Sequence, residues 1–117
     1  MKRTRRTQRL NGLLLEGISD TVLRQINDPR IRAVTFTAVD VTPDLRLARV
    51  YFSVLDPLRQ REEASEGLDS AKGLIKRSLA PRLSLRYMPD LEFIYDASIQ
   101  RADQIDKLLK SLEDPGS

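Results

Sequence analysis

Five cations and no carboxylate occupy the stretch from Ala71 to Pro89: Lys72, Lys76, Arg77, Arg82 and Arg86. A second block, Lys2, Arg3, Arg5, Arg6 and Arg9, opens the chain, again without an Asp or Glu. Ammonium and guanidinium groups gathered in this way bind polyanions, because each phosphate they neutralise releases condensed counterions. RNA is the polyanion this pattern points to. The alternative is that both blocks are solvated faces, since charge runs are common on soluble proteins.

Other chemistry has little to work with. The chain has no His and no Cys, which removes His/Cys zinc sites, Ser-His-Asp triads, Cys-His pairs and disulfides. An enzyme would have to rely on carboxylates, Lys or Tyr. Asp44, Asp56 and Asp96 fall at strand ends and turns, where turn and cap chemistry accounts for them. The expectation is a protein that is not an enzyme and takes no cofactor or metal.

With 117 residues, 40% hydrophobic and 32% charged, the chain suits one soluble domain, residues 1–117, with a real core. No run reaches the roughly 18 apolar residues of a membrane span. Leu13-Leu14-Leu15 is too short for a signal-peptide core, and the lack of Cys fits a reducing compartment; a cytoplasmic location is expected. The net charge of +3 conceals an asymmetry: residues 10–70 hold seven basic and ten acidic residues, and residues 90–117 hold three and seven. The two basic blocks therefore sit on a near-neutral body.

Periodicity supplies the elements that must position these charges. Leu10, Leu13, Leu14, Ile18, Val22, Leu23 and Ile26 form one apolar stripe on a helix from about Thr7 to Ile26, ended by Asn27-Asp28-Pro29. Residues 1–8 are then a basic arm, mobile until bound. Val34 to Thr42 reads as a strand, Thr42-Pro43-Asp44 as a turn, and Ala48 to Val54 as a half-buried strand with Val50 and Phe52 on its apolar face. These two make an antiparallel hairpin. After Asp56-Pro57 a helical pattern runs to about Leu83, with a kink or end near Pro81. Leu91, Phe93 and Tyr95 mark a third strand, and Ile99, Ala102, Ile105, Leu109 and Leu112 a last amphipathic helix, capped by Ser98, before a frayed tail at 113–117. Strands and helices in this order predict a two-layer α+β sandwich, with a right-handed crossover if the joined strands lie parallel.

Gly73 is the odd residue. It interrupts a helical pattern, where glycine costs about 1 kcal/mol against alanine, and it lies inside the basic stretch. A kink that shapes the RNA surface is one reading; close packing of helix on sheet is the other. Tyr51, Phe52, Phe93 and Tyr95 at alternating strand positions read as core residues rather than as a stacking platform.

Taken together, Asp28-Pro29-Arg30-Ile31, Val34-Thr35-Phe36-Thr37, Ala48-Arg49-Val50-Tyr51-Phe52-Ser53-Val54, Ala71-Lys72-Gly73 and Leu85-Arg86-Tyr87-Met88-Pro89-Asp90-Leu91 resemble the bacterial ribosome-binding factor A proteins, over about Arg9 to Leu112. The resemblance implies a type II KH-like domain, α-β-β-α-kink-α-β, with a C-terminal helix and a three-stranded sheet carrying helices on one face. It implies that Ala71, Lys72 and Gly73 form an interhelical kink in place of the Gly-x-x-Gly loop of ordinary KH domains. It also implies a cold-shock-associated assembly factor that binds immature small ribosomal subunits, near the 5′ and 3′ ends of their ribosomal RNA. A GTPase assembly factor would promote its release. Pro81 departs from the family's usual helix former, and any long C-terminal tail is expected to be minimal. The expected RNA-binding residues are Lys72, Gly73, Lys76, Arg77, Arg82, Arg86, Arg3, Arg5, Arg6, Arg9 and Arg30, with Arg30 and Arg32 equally suited to salt bridges with Asp28. The expected state is a monomer away from membranes. The competing readings are a KH-like protein with another RNA target and a small carboxylate enzyme.

Overall fold

A computed structural model describes residues 5–97. Ser98, the expected last helix, the tail, and Lys2 and Arg3 lie outside the described residues.

The first helix, α1, spans Arg5–Gln25. It buries Leu10, Leu14 and Ile18, while Val22 and Ile26 pack partly buried against the core. Leu13 and Leu23, expected on the same stripe, are exposed; the contact face is narrower than the apolar arc. Arg5 and Arg6, assigned to a mobile arm by the sequence, are the first residues of the helix. The helix stops before Asp28, whose carboxylate accepts from the Arg30 N–H at 2.9 Å and caps a single 3-10 turn, Pro29–Ile31.

Strands β1 (Thr35–Val41) and β2 (Leu47–Ser53) pair antiparallel, with a bulge at Thr37. The turn between them is built by side chains. The Thr42 hydroxyl donates to Asp44 Oδ1 at 2.7 Å, and the same oxygen accepts from the Arg46 N–H at 3.1 Å. Leu45 takes the left-handed conformation this turn demands, φ 62°. Helix α2 spans Pro57–Leu83. Asp56 stands at its N-cap position without a side-chain capping bond; instead its N–H donates to Gln60 Oε1 at 3.0 Å. Strand β3 (Asp90–Tyr95) pairs parallel with β2, giving the order β1-β2-β3 and a crossover through α2.

Register explains the layering. Val39, Val50 and Phe93 stand in one row across the sheet, and Val41, Ala48 and Leu91 in the next. All but Phe93, which is half-buried, are buried under α1 and α2. Phe52 is buried with the Tyr95 ring edge-on to it, and Phe36 tilts against Phe93. These rings serve the core, as their alternation predicted; Tyr51, one residue out of phase with Phe52, is half-buried.

Where two helices meeting at a bend were expected, one 27-residue helix passes through Ala71-Lys72-Gly73. Its buried positions Ala64, Leu68, Ala71, Ile75 and Leu79 keep three- and four-residue steps across Gly73. Continuous burial of one stripe outweighs the roughly 1 kcal/mol glycine cost. Pro81 sits in the last turn, and the chain leaves the helix at Ser84 in a left-handed conformation, φ 51°.

Candidate nucleic-acid interface

Ion pairing sorts the cations singled out in the sequence into two groups. Arg30 is engaged: its guanidinium donates to both Asp28 carboxylate oxygens, at 2.8 to 3.1 Å. That bond holds the Asp28 carboxyl below its usual range and raises the Arg30 guanidinium further. The stem of Arg30 also lies over Gly67 of α2, where a β carbon would stand 3.2 Å from Arg30 Cβ and 2.7 Å from Ile31 Cγ2. Lys76 bridges to Asp90 at 3.2 Å, which lowers the Asp90 carboxyl. Lys72 stands 3.9 Å from Asp69, and Arg82 reaches Asp20 at 3.4 Å, sharing it with Arg24 at 2.7 Å. Arg32 donates to Asn27 rather than to Asp28.

Arg5, Arg6, Arg9, Arg77 and Arg86 form the second group: none has a carboxylate partner among the described residues, and all are exposed. An exposed guanidinium without a salt bridge has no partner to give up when it meets a phosphate. A cation already paired must exchange one partner for another, although exposed pairs are worth at most about 1 kcal/mol.

The fold brings Arg5, Arg6, Arg9, Lys76 and Arg86 to one end of the molecule, while Arg82 pairs with Asp20 farther along α1. The first turns of α1 carry Arg5, Arg6 and Arg9. Asn11, just after them, accepts from the Val41 N–H at 2.8 Å and ties this end of the helix to the end of β1. The Asp90 N–H donates to the Arg46 carbonyl at 2.9 Å, which brings the start of β3 to the hairpin turn. The Lys76–Asp90 bridge adds the second half of α2. At this end lies a groove of about 440 Å³, lined by Arg6, Arg46, Arg86, Tyr87 and Asp44 together with Leu45, Leu85 and Met88, which are partly buried against the core. Arg30 lies beyond the other end of α1, about 30 Å away by helix rise. The predicted set is therefore not one patch.

Arg46 and Tyr87 also line the groove, and the sequence did not single them out. Arg46 is a lone cation in a turn read for its Thr-Pro-Asp signal, and Tyr87 was passed over in favour of the strand aromatics. The signal was local: Tyr87 directly follows Arg86, and the Arg86 guanidinium lies 5.5 Å from its ring centroid. Gly73 also reads differently in place. It is exposed, and a β carbon there would meet only Arg77 Nη1, at 3.3 Å. It is not a close-packing glycine. Ala71 beside it faces the core.

Among carboxylates, Asp44 is committed to the hairpin turn and held below its usual range chiefly by the Thr42 hydroxyl, while Asp96 accepts from Thr37 at 2.7 Å. Among the described residues, no group of three or more His, Cys, Asp or Glu gathers where an ion could be held.

Comparison with known proteins decides the family. The ribosome-binding factor A model matches residues 6–109, nearly the whole chain. The chain belongs to the ribosome-binding factor A family. Ribosome-binding factor A of Pediococcus pentosaceus is 42% identical over 113 residues, 96% of this chain and 97% of that one. The crystal structure of ribosome-binding factor A from Thermus thermophilus superposes with a TM-score of 0.70, at 27% identity, over 76% of this chain and 93% of the other. A Thermus thermophilus homology model of the same factor, fitted into a cryo-electron microscopy map of its complex with the 30S subunit, superposes with a TM-score of 0.59, at 27% identity, over 82% of this chain and 97% of that one. The ribosome-binding factor A family thus accounts for the KH-like α+β fold seen here, with its two described helices on one face of a three-stranded sheet.

Proposed function

We propose that this protein is a non-enzymatic assembly factor that binds immature small ribosomal subunits and assists maturation of the ends of their ribosomal RNA. The observation that carries this reading is the family match over residues 6–109, a family with a member fitted into a 30S complex. The geometry supports it. Arginines without a carboxylate partner among the described residues gather at the α1 end of the molecule, and such cations bind a phosphate backbone with a steep salt dependence. The finer features of the proposal are action during cold shock, release promoted by a GTPase assembly factor, a cytoplasmic location and a monomeric state.

The test is co-sedimentation of the purified protein with immature and mature small subunits at two salt concentrations. Retention by the immature particle at low salt, lost as salt rises, is the expected result. A protein that ignores immature particles at low salt ends this reading. If crosslinking in cells centres on RNA outside the small subunit, the domain serves another RNA target instead.

A further inference from the structure

We infer that the groove between the start of α1, the β1–β2 turn and the α2–β3 loop holds one unstacked nucleotide of single-stranded RNA, its base on Tyr87 and its flanking phosphates on Arg6 and Arg46. The inference rests on the function proposed above and narrows it to a subsite and a mode of contact.

Four observations carry it. The first is convergence: Arg6, Arg46 and Arg86 come from three separate segments, yet line one groove of about 440 Å³, within the range of small-ligand sites. No salt bridge among the described residues holds any of the three, and Arg46 lies near enough to Asp44 to help lower its carboxyl.

The second is Tyr87. It is 76% exposed, although large aromatic side chains usually bury their rings. The Arg86 guanidinium lies near the ring, 5.5 Å from its centroid, while the exposed ring offers area for a base. Bases stacked on aromatic rings and arginine planes are the usual way that proteins hold unpaired RNA.

The third is the floor. Leu45, Leu85 and Met88 are partly buried and packed against the main core, so the apolar surface under the arginines is anchored rather than mobile. A bare phosphate gains nothing from such a floor; a base or ribose does.

The fourth is the backbone. The two non-glycine residues at positive φ among the described residues are Leu45 (62°) and Ser84 (51°). Leu45 shapes the hairpin turn and Ser84 is the left-handed C-cap of α2, so defined turns set the paths of the two loops that carry the groove. α1 adds to the field, because its first turn holds arginines and no acidic residue, on top of the positive end of the helix dipole.

Asp44 sets the limit on what binds. Its carboxyl stays ionised beside the arginines, since the Thr42 hydroxyl and the Arg46 N–H both donate to it. A fully anionic ligand pressed into the groove would meet that charge. A base in the groove, with its phosphates outside against Arg6 and Arg46, would not.

The probe is a 12-nucleotide single-stranded RNA carrying 2-aminopurine, compared with the same sequence paired in a duplex. Binding is followed by anisotropy and stacking by 2-aminopurine quenching. The wild-type protein should prefer the single strand and quench it. Tyr87→Ala should weaken single-strand binding about tenfold, the scale of one stacked base, and abolish quenching; Tyr87→Phe should retain both. Arg46→Ala should lower the salt slope by about one phosphate's share with quenching kept. Equal affinity and quenching for Tyr87→Ala and wild type, with folding checked by circular dichroism, overturns the inference. So does equal wild-type affinity for single strand and duplex. Co-sedimentation with immature subunits separates the two proposals: binding there without quenching removes the groove alone, and quenching without subunit binding removes the ribosomal target alone.

Discussion

Gly17 of α1 leaves room for one neighbour only: a β carbon built there would collide with Leu79 Cδ2 of α2. Leu79 is itself fully buried, in the core that joins both helices to the sheet, so it has nowhere to retreat. The glycine sets how closely the helices approach, in a contact that also places the Thr21 hydroxyl 3.3 Å from Ser78. Gly17→Ala should therefore destabilise the fold by about 1–3 kcal/mol, the usual cost of overpacking a filled core. Urea denaturation of the variant checks it; an unchanged midpoint would mean that the helices can separate at no cost.

Gly73→Ala should behave in the opposite way. Only the far end of Arg77 would have to move, and alanine is the better helix former by about 1 kcal/mol. The variant should gain up to that amount. If it also loses affinity for small subunits while gaining stability, then Gly73 is kept for an RNA-bound shape that an unbroken helix disfavours. Equal stability and equal affinity would leave the glycine without either role.

Much of this was legible in the sequence, and the reasons for the misses are specific. Strand phases were readable because period-two alternation puts Val50, Phe52, Leu91 and Phe93 on one face whatever the partner. Helix α1 was readable from its stripe, but Leu13 and Leu23 lie at the stripe's margins, and only the depth of the contact decides that they stay exposed. A break into two helices at Gly73 was inferred from a local propensity, which a buried stripe continuing on both sides overrides. At the candidate interface, which cations exist was plain and which are free was not. The Lys76–Asp90 and Arg82–Asp20 pairs join residues distant in sequence or on different elements, and Arg46 and Tyr87 meet Arg6 only after folding.

Acid should weaken the fold in a defined window. Asp28, Asp44 and Asp90 all have carboxyls held below the ordinary value of 3.8, by Arg30, by the Thr42 hydroxyl and by Lys76 respectively. A carboxyl depressed in the folded state favours that state above the unfolded value, and the benefit disappears as pH falls through the folded value. Denaturation midpoints should thus be level from pH 7 to about pH 5 and fall below about pH 4. In Asp28→Asn the fall should be shallower. A midpoint that stays level down to about pH 2 would assign these contacts no part in stability.

Arg30 and the α1 arginines should separate binding from stability. Arg30 is bound to Asp28 and covers Gly67, about 30 Å by helix rise from the first turn of α1. Arg30→Ala should lower the denaturation midpoint, by removing a bidentate partner and a packed stem, and leave the salt slope of small-subunit binding unchanged. Replacing Arg5, Arg6 and Arg9 together with Ala should do the reverse. These side chains are exposed and have no carboxylate partner among the described residues, so stability should stay within about 0.5 kcal/mol for each, and relieving the first turn of its like charge works in the helix's favour. Removing one arginine–phosphate pair should lower the slope of log affinity against log salt by about 0.7–0.9, so the triple variant should drop by about two units if all three arginines contribute. Titration of small-subunit binding across a salt series measures both variants side by side. A slope that falls with Arg30→Ala and holds in the triple variant would move the interface to the opposite end of α1.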